Sequence, residues 1–278
     1  LHGEGHSFPT RRSSDLTMSS GAFVGPGDWS KVGEGTFNLS GNYLGTGDIT
    51  IENGTLQLQT PTEGTTLRLN GLLKGGPNGR FGIADTTFDA EKTVILSGAS
   101  PFSGETAIGD NITLRVESVA GMNAFGSGGF TGAGDLDLSG PGDWQIGDSN
   151  LGWIYVRGDS SVTQHGDWNI SNLRLEGNAS VTLDPNFSGD LGDVTVLGSA
   201  RATLSSGSYS VLRVYEQGWL DIGGDGAATL DSSFTVFFDS ANIRFTLGEA
   251  GVVGGPNNDL LIVDSYLPLS YNFHFDAA

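Results

Sequence analysis

The chain has 278 residues, of which 32 are acidic and 13 basic, and it carries a formal net charge of −19 and no cysteine. The lack of cysteine excludes disulfides, thiolate catalysis and cysteine-ligated zinc. The acidic balance, with no basic stretch, argues against nucleic acid as a partner and against unassisted docking on anionic lipid. We expect no cofactor, although such an acidic surface can collect Ca²⁺ loosely.

The first segment of the chain does not fit the rest. His6–Leu16 reads HSFPTRRSSDL, and every position matches one reading frame of a widely used sequencing-adapter oligonucleotide. We therefore predict that residues 1–16 are a non-native scar, which is set aside in fold reasoning. The native protein would then start near Thr17, and its true N-terminus, with any signal peptide, would be missing.

Two stretches in the first half of the chain are copies of one unit. Asn38–Leu58 and Ile95–Val116 share Leu-Ser-Gly near the start, a central glycine and Thr-Leu near the end. A weaker third copy begins at Leu138, and GPGDW occurs twice, ending at Trp29 and Trp144. Duplicated strand–turn–strand units are typical of repeat proteins that extend by stacking.

The stretch from Leu173 to Leu247 has a period of two in its apolar residues. Such alternation is typical of half-buried strands, and the Gly, Asn, Asp or Ser residues between the sets supply turns. No segment has a helical period, so the chain is predicted to be all-β. The alternating sets are Leu173/Leu175, Val181/Leu183, Val194/Val196, Ala202/Leu204, Leu212/Val214, Leu220/Ile222, Phe234/Val236/Phe238 and Ile243/Phe245/Leu247.

The spacing of these sets predicts how the strands are arranged. Two strands use about 20 residues, which fits a right-handed parallel β-helix whose coils stack about 4.8 Å apart around one core. An antiparallel sandwich or barrel also has strands about every 8–12 residues and is the alternative. The internal repeats favour the β-helix. We assign residues 17–246 to solenoid repeats and residues 247–278 to a last, truncated solenoid segment.

The repeat unit resembles that of the autotransporter-associated β-strand repeat proteins. Their unit runs Lys-x-Gly-x-Gly-Thr-x-x-Leu-Ser-Gly, then an aromatic residue, a glycine-rich turn and Gly-Thr-Leu-x-Leu. NAFGSGG (Asn123–Gly129) and NNDLLIVD (Asn257–Asp264) are similar to two further motifs of this family. The residues that match the unit are Lys31, Gly33, Gly35, Thr36, Leu39, Ser40, Gly41, Tyr43, Gly45, Gly47, Asn53, Gly54, Thr55, Leu56 and Leu58.

This resemblance implies the passenger or stalk region of a secreted or cell-surface bacterial protein, connected with the outer membrane only through an anchor or barrel outside this chain. Its role would be structural: a monomer that offers an acidic face to extracellular surfaces or polysaccharide, for adhesion or matrix building. After Asp264 the chain has SYLPLS (residues 265–270) where the family has Gly-x-Leu-x-Leu-x-Gly. We therefore expect an irregular last coil.

A β-helix can be an enzyme, because this fold also carries polysaccharide-cleaving enzymes with converging carboxylates. The sequence has no Asp-Asp pair, no Gly-x-Ser-x-Gly and no histidine–carboxylate cluster at metal-ligand spacing. Turn and surface roles account for Glu105, Asp110, Asp135 and Asp137. We predict a protein without catalytic residues. A carbohydrate-binding or polysaccharide-cleaving solenoid is the main alternative, and a passive spacer between further domains is the third.

One glycine-rich stretch is similar to a calcium site. GGDGAATLD (Gly223–Asp231) begins like a Ca²⁺-binding nonapeptide, but Ala228 stands where a ligand aspartate is needed. Such sites also need tandem copies. The stretch is predicted to be a turn, and no metal site is assigned.

Three of the five tryptophans, Trp29, Trp144 and Trp168, directly follow Gly-Asp. Surface aromatic rings often stack on sugars, so these three are the candidates for a carbohydrate-stacking ladder. The other interpretation, which we favour, is that they cap the core at the corners of the coils.

Overall fold

The computed structural model describes residues 16–18, 23–40, 43–60, 66–85, 91–97, 101–117, 128–187, 189–224, 226–238, 240–247, 258–268 and 271–277. Every regular element in these ranges is a β-strand, and every strand pairing given in register is parallel. Successive coils are roughly 21 residues apart. The predicted parallel β-solenoid is therefore confirmed, and the antiparallel sandwich or barrel is wrong. Residues 1–15 of the predicted scar lie outside the described residues.

The chain divides into two compact units, Leu1–Gly152 and Trp153–Ala278. Within the ranges described, nothing helical has the length and apolar character needed to cross a membrane. The first unit contains the strands β1 (Leu16–Met18), β2 (Phe23–Gly25), β3 (Trp29–Lys31), β4 (Thr36–Ser40), β5 (Tyr43–Gly45), β6 (Ile49–Ile51), β7 (Gly54–Thr60), β8 (Thr66–Leu69), β9 (Leu73–Gly75), β10 (Gly79–Asp85), β11 (Lys92–Leu96), β12 (Glu105–Ile108), β13 (Ile112–Glu117), β14 (Phe130–Thr131), β15 (Asp135–Ser139) and β16 (Gly142–Ile146).

In the first unit, successive coils add strands to separate parallel ladders. One ladder runs β1-β4-β7-β10-β12-β14, a second runs β8-β11-β13-β15, a third runs β3-β6-β9, and β2 pairs with β5. Phe37, Leu56 and Phe81 are register partners on the first of these ladders, and all three are buried. Each coil thus supplies one apolar side chain per inward position, and stacking removes that side chain from water.

The second unit begins within β17 (Ser149–Gly158) and has two ladders, β17-β19-β21-β23-β25-β27 and β18-β20-β22-β24-β26-β28. Val162, Val181, Ala202, Leu220 and Ile243 are successive register partners on the second ladder, and each is at most 1 % exposed. The remaining strands are β18 (Ser160–Gln164), β19 (Trp168–Gly177), β20 (Ser180–Thr182), β21 (Asp190–Val196), β22 (Arg201–Leu204), β23 (Gly207–Val214), β24 (Trp219–Ile222), β25 (Thr229–Phe237), β26 (Ala241–Leu247), β27 (Leu260–Pro268) and β28 (Tyr271–Ala277).

The two copies of the sequence repeat do not occupy the same place in the coil. Leu39, in the first copy, lies in β4 on the first ladder, whereas its counterpart Leu96 lies in β11 on the second. Leu56 and Leu114 are separated in the same way, in β7 and β13. The duplication predicted the fold class correctly, but it is not the stacking repeat of the coils.

The corners of the first unit are held by glycine and aspartate stacked from coil to coil. A Cβ at Gly71 would lie 1.9 Å from the carbonyl oxygen of Gly47, so the two backbones approach closely only without a side chain. The carboxylate of Asp28 accepts a hydrogen bond from the N–H of Asp48 at 2.8 Å, and that of Asp48 accepts one from Leu72 N–H at 2.9 Å. The carboxylates thereby satisfy backbone donors at positions where the chain turns.

Lys31, the first residue of the family-like unit, is buried at one of these corners. Its Nζ donates to the carbonyl oxygens of Gly33 at 2.6 Å and Asn53 at 3.0 Å. Burial lowers the pKa of the Lys31 ammonium from its ordinary value of 10.5. The lysine thus ties the turn of its own coil to the turn of the next.

The last segment continues the first ladder of the second unit. β27 pairs with β25 from Thr229–Leu260 to Phe237–Pro268. Residues 265–268 of SYLPLS therefore lie in a regular ladder, and the irregular coil predicted for this segment is not found there, whereas residues 269 and 270 lie outside the described residues. Leu267 fits a strand because the residue before a proline favours extended backbone.

Candidate functional site

The three tryptophans predicted as a carbohydrate-stacking ladder lie in the core. Trp29 is 5 % exposed, Trp144 is 1 % exposed and Trp168 is 0 % exposed. Trp29 also packs edge-on against Phe37, with ring centroids 6.2 Å apart. A sugar ring needs an exposed aromatic face, so the stacking interpretation is corrected for these residues, and they are placed as large core side chains.

The structure instead turns Trp153 and Trp219 outward. Both are half-buried. In β17 the side chains of Ile154 and Val156 point into the core, each fully buried, so Trp153 and the residues two and four positions later face outward. The alternation in WIYVR could have revealed this, because β-branched residues take the inward positions. The prediction from the Gly-Asp-Trp pattern was wrong, because the three tryptophans in that pattern are buried.

Trp153 forms an aromatic pair with Tyr155 on the outer face of β17. The two rings are nearly parallel, with centroids 5.4 Å apart and an interplanar angle of 8°. The guanidinium of Arg157 lies 4.9 Å from the centre of the Tyr155 ring, within reach of a cation–π attraction. Packing along the strand therefore fixes the orientation of the outward Trp153 ring.

A polar groove lies on the same sheet, where its strands bend. Ile170 and Leu173 of β19 both point inward, although three positions separate them, so the two residues between them, Ser171 and Asn172, both face outward. The parallel register skips Ser171 and its equivalents, Gly192 and Ser210, on the next two strands. This repeated irregularity changes the direction of the sheet in the manner of a bulge.

The groove has a volume of about 400 Å³ and is open to solvent. A Cβ at Gly192 would lie 2.4 Å from the carbonyl oxygen of Ser171, so glycine permits the neighbouring coils to approach here. The residues that line the groove are Asn169, Ile170, Ser171, Asn172, Asp190, Gly192, Asp193 and Ser210. Nearly all of them offer hydrogen-bonding groups.

The groove contains both donors and acceptors. Asp193 is held by Arg213, whose Nη1 donates to Oδ2 at 2.8 Å. The amides of Asn169 and Asn172 and the carboxylate of Asp190 make no side-chain hydrogen bond to another residue of the described part. Their polar atoms are therefore available to a bound molecule, which would replace water.

Trp153 lies beside this groove. β17 and β19 are neighbouring strands, and Gly177 lies against Gly158 across them. Trp153 and Asn172, each five residues earlier, therefore occupy adjacent positions, and Asn172 is in register with Asp193. The result is one outward row, Trp153, Asn172 and Asp193, that crosses three coils. A flat apolar ring and a polar groove are thus combined on one surface.

A second outward cluster surrounds Trp219 on the other ladder of this unit. The His274 ring lies 4.5 Å from that of Trp219, and the Arg201 guanidinium lies 5.8 Å from it. Asp221, two residues after Trp219, is paired with both Arg201 and Arg244. Trp219 is therefore packed against His274 and Arg201 of neighbouring strands.

Of the carboxylates considered for catalysis, Glu105 and Asp137 form ion pairs between coils, with Arg80 at 2.9 Å and with Arg115 at 2.9 Å. Asp110 accepts a hydrogen bond from Asn111 N–H at 3.0 Å, as in a turn. Asp137 is 2 % exposed, so the surface role predicted for it is wrong. Across the described part of the chain, no group of three or more His, Asp or Glu side chains is placed to hold a metal ion.

The calcium-like stretch forms a turn closed by another carboxylate. Gly223 and Gly224 both have positive φ, and Gly226 N–H donates to the Gly223 carbonyl. Asp259, from a later coil, accepts a hydrogen bond from Ala228 N–H at 2.8 Å. Burial raises the pKa of the Asp259 carboxyl above its ordinary value of 3.8, although backbone N–H donors oppose this shift. The turn predicted for this stretch is therefore observed.

Comparison of the chain with protein-family models, with curated proteins and with solved structures finds no match.

Proposed function

We propose that the chain is a structural and adhesive repeat region of a secreted or surface-exposed bacterial protein and carries no catalytic activity. The observation that carries this proposal is the construction of both units. Each is a stack of parallel coils whose outer faces present side chains in regular rows. Such rows suit contact with a large, repetitive partner better than the enclosure of a small substrate.

Ion pairs between coils hold charged side chains in fixed positions on the outer face, which suits a surface that contacts a partner in water. Arg68 bonds Glu117 at 2.7 Å, and Arg157 bonds Glu176 at 3.4 Å, each pair joining residues of different strands. Single exposed pairs contribute little to stability. Their repetition keeps long side chains ordered on the surface, and the net charge of −19 keeps copies of the protein apart.

Location and adhesion can be tested with the full chain. Antibodies raised against it should label intact cells of the organism that makes it. Beads coated with the chain should retain bacterial cells or matrix polysaccharide better than beads coated with an unrelated protein of similar negative charge. Labelling only after lysis, together with no retention above the control, would contradict the proposal.

The absence of catalysis needs a separate measurement. The full chain should release no reducing ends from pectin, xylan or β-glucan. Release that is abolished by replacing one carboxylate would show that the chain is an enzyme instead.

One observation favours the carbohydrate-binding alternative over a passive spacer. The groove beside Trp153 joins hydrogen-bonding side chains to an outward aromatic ring. Binding of polysaccharide at this place is compatible with an adhesive role.

A further inference from the structure

We infer that the groove along Asn169, Asn172, Asp190 and Asp193, with the adjacent Trp153 ring, is a binding site for a neutral polysaccharide chain. This inference rests on the proposed adhesive function and specifies its ligand. It concerns residues of the second unit only.

The chemistry of this surface suits a sugar. Sugar rings have hydroxyl groups at their edges and C–H groups on their faces, so they need hydrogen-bonding partners beside a flat apolar surface. Amides supply both donors and acceptors, and carboxylates accept from hydroxyls. The Trp153 ring, held parallel to Tyr155 at 5.4 Å, supplies the flat surface without further ordering of the side chain.

The polar side chains of the groove form a row that runs across the strands. Asn169 is in register with Asp190, and Asn172 is in register with Asp193. Polar side chains therefore follow one another on β19 and β21 at the spacing of a β-sheet, about 4.8 Å, which is comparable with the size of one sugar ring. On β23 the register partner of Asp193 is Val211, where this polar row ends. A sugar chain laid across β19 and β21 would meet two hydrogen-bonding side chains on each of these strands.

The negative charge of the groove favours a neutral polysaccharide over an acidic one. Asp190 is exposed, and Asp193 is the carboxylate partner of Arg213. The chain as a whole has a net charge of −19. An acidic polysaccharide would be repelled by this field, and a neutral one would not.

The binding test uses the full chain with three named probes, cellohexaose, dextran and polygalacturonate, in isothermal titration calorimetry. We expect binding of at least one neutral glucan and weaker or no binding of polygalacturonate. Trp153→Ala and Asn172→Ala should each weaken binding about tenfold or more, as for a central contact residue. Trp219→Ala is the matched control, because it removes the other outward tryptophan and should leave affinity unchanged.

Several results would overturn the inference: no binding of either neutral glucan, tighter binding of polygalacturonate, or equal losses in the Trp153 and Trp219 variants. Asn172→Ala guards against misfolding, because it removes no aromatic packing, and thermal unfolding followed by circular dichroism should leave it unchanged. The bead assay separates this inference from the adhesive function. If beads coated with Trp153→Ala retain cells as well as beads coated with the wild type, the polysaccharide site is wrong and the adhesive function stands. If the chain binds glucan in solution but coated beads retain neither cells nor matrix, the site stands and the adhesive function is wrong.

Discussion

Lys92 and Asp85 form an ion pair inside the first unit, and their side chains are 0 % and 2 % exposed. Asp85 is the last residue of β10 and Lys92 is the first residue of β11. The ion pair therefore joins the end of one strand to the start of the next. Buried charges are retained at low cost only when each has its partner. The two residues therefore depend on each other far more than the surface pairs do.

Replacing Lys92 by Met should destabilise the protein by about 3–5 kcal/mol, because the carboxylate of Asp85 would keep its burial and lose its cation. The double variant Lys92→Met, Asp85→Leu should recover most of this loss. Arg80→Met, which breaks an exposed pair with Glu105, should cost no more than about 1 kcal/mol. Urea unfolding would measure all three. A single variant as stable as the wild type would show that the pair is not buried in solution.

Asp48 gives a pH-dependent prediction. Its carboxylate lies 2.5 Å from Lys74 Nζ and accepts from Leu72 N–H, and these contacts hold the pKa of Asp48 below its ordinary value of 3.8. A carboxyl with a lowered folded pKa contributes stability above the unfolded pKa and loses it as pH falls through the folded pKa. Asp48→Asn should therefore be less stable than the wild type at neutral pH, and the difference should vanish well below pH 3.8.

Unfolding of both proteins by urea across this pH range would check the sign. In a Lys74→Met background, Asp48→Asn should change the free energy of unfolding much less, because the ion pair between Asp48 and Lys74 is already absent. A gap between wild type and Asp48→Asn that stays constant down to the lowest pH would contradict the assignment.

The close contact between Gly71 and Gly47 predicts that Gly71 cannot be replaced by a residue with a side chain without loss of stability. A Cβ at Gly71 would meet the Gly47 carbonyl at 1.9 Å, whereas one at Gly76 would meet nothing within 4 Å. Gly71→Ala should cost about 1–3 kcal/mol because the coils must separate. Gly76→Ala should stay within about 0.5 kcal/mol of the wild type. Equal midpoints in thermal unfolding would mean that the coils do not approach as described.

The inward face of β20 can be tested by charge. Val181 is 1 % exposed and stacks between Val162 and Ala202. Val181→Asp should destabilise the second unit by at least about 4 kcal/mol, because it places an unpaired charge in the core. Thr182→Asp, one residue further on and exposed, should be tolerated. Circular dichroism and limited proteolysis would report the difference, and full tolerance of Asp at 181 would reverse the assigned faces.

The sequence predicted the strands well because side-chain alternation is a local property. The sets Val194/Val196, Leu212/Val214 and Leu220/Ile222 are all buried, as their period of two indicated. The prediction for Phe234/Val236/Phe238 is wrong in phase, because Thr235 and Phe237 are in register with the buried Leu212 and Val214. Val236 is in register with Arg213 on the outer side of the sheet, and Phe234 and Phe238 are only half-buried. The bend in β25 shifts the alternation there, and a bend shared with neighbouring coils cannot be read from one strand.

The difference between local geometry and stacking also separates what the sequence by itself determined from what the tertiary structure decided. Alternation, glycine content and the spacing of strands determined an all-β solenoid, because each of these follows from short-range geometry. The fate of the tryptophans was decided only by stacking. Trp144 and Trp168 are buried because the coil closes over them, and Trp153 faces outward because Ile154 and Val156 occupy the core beside it. The polar groove likewise exists only where the bends of three strands coincide, since no single coil contains it.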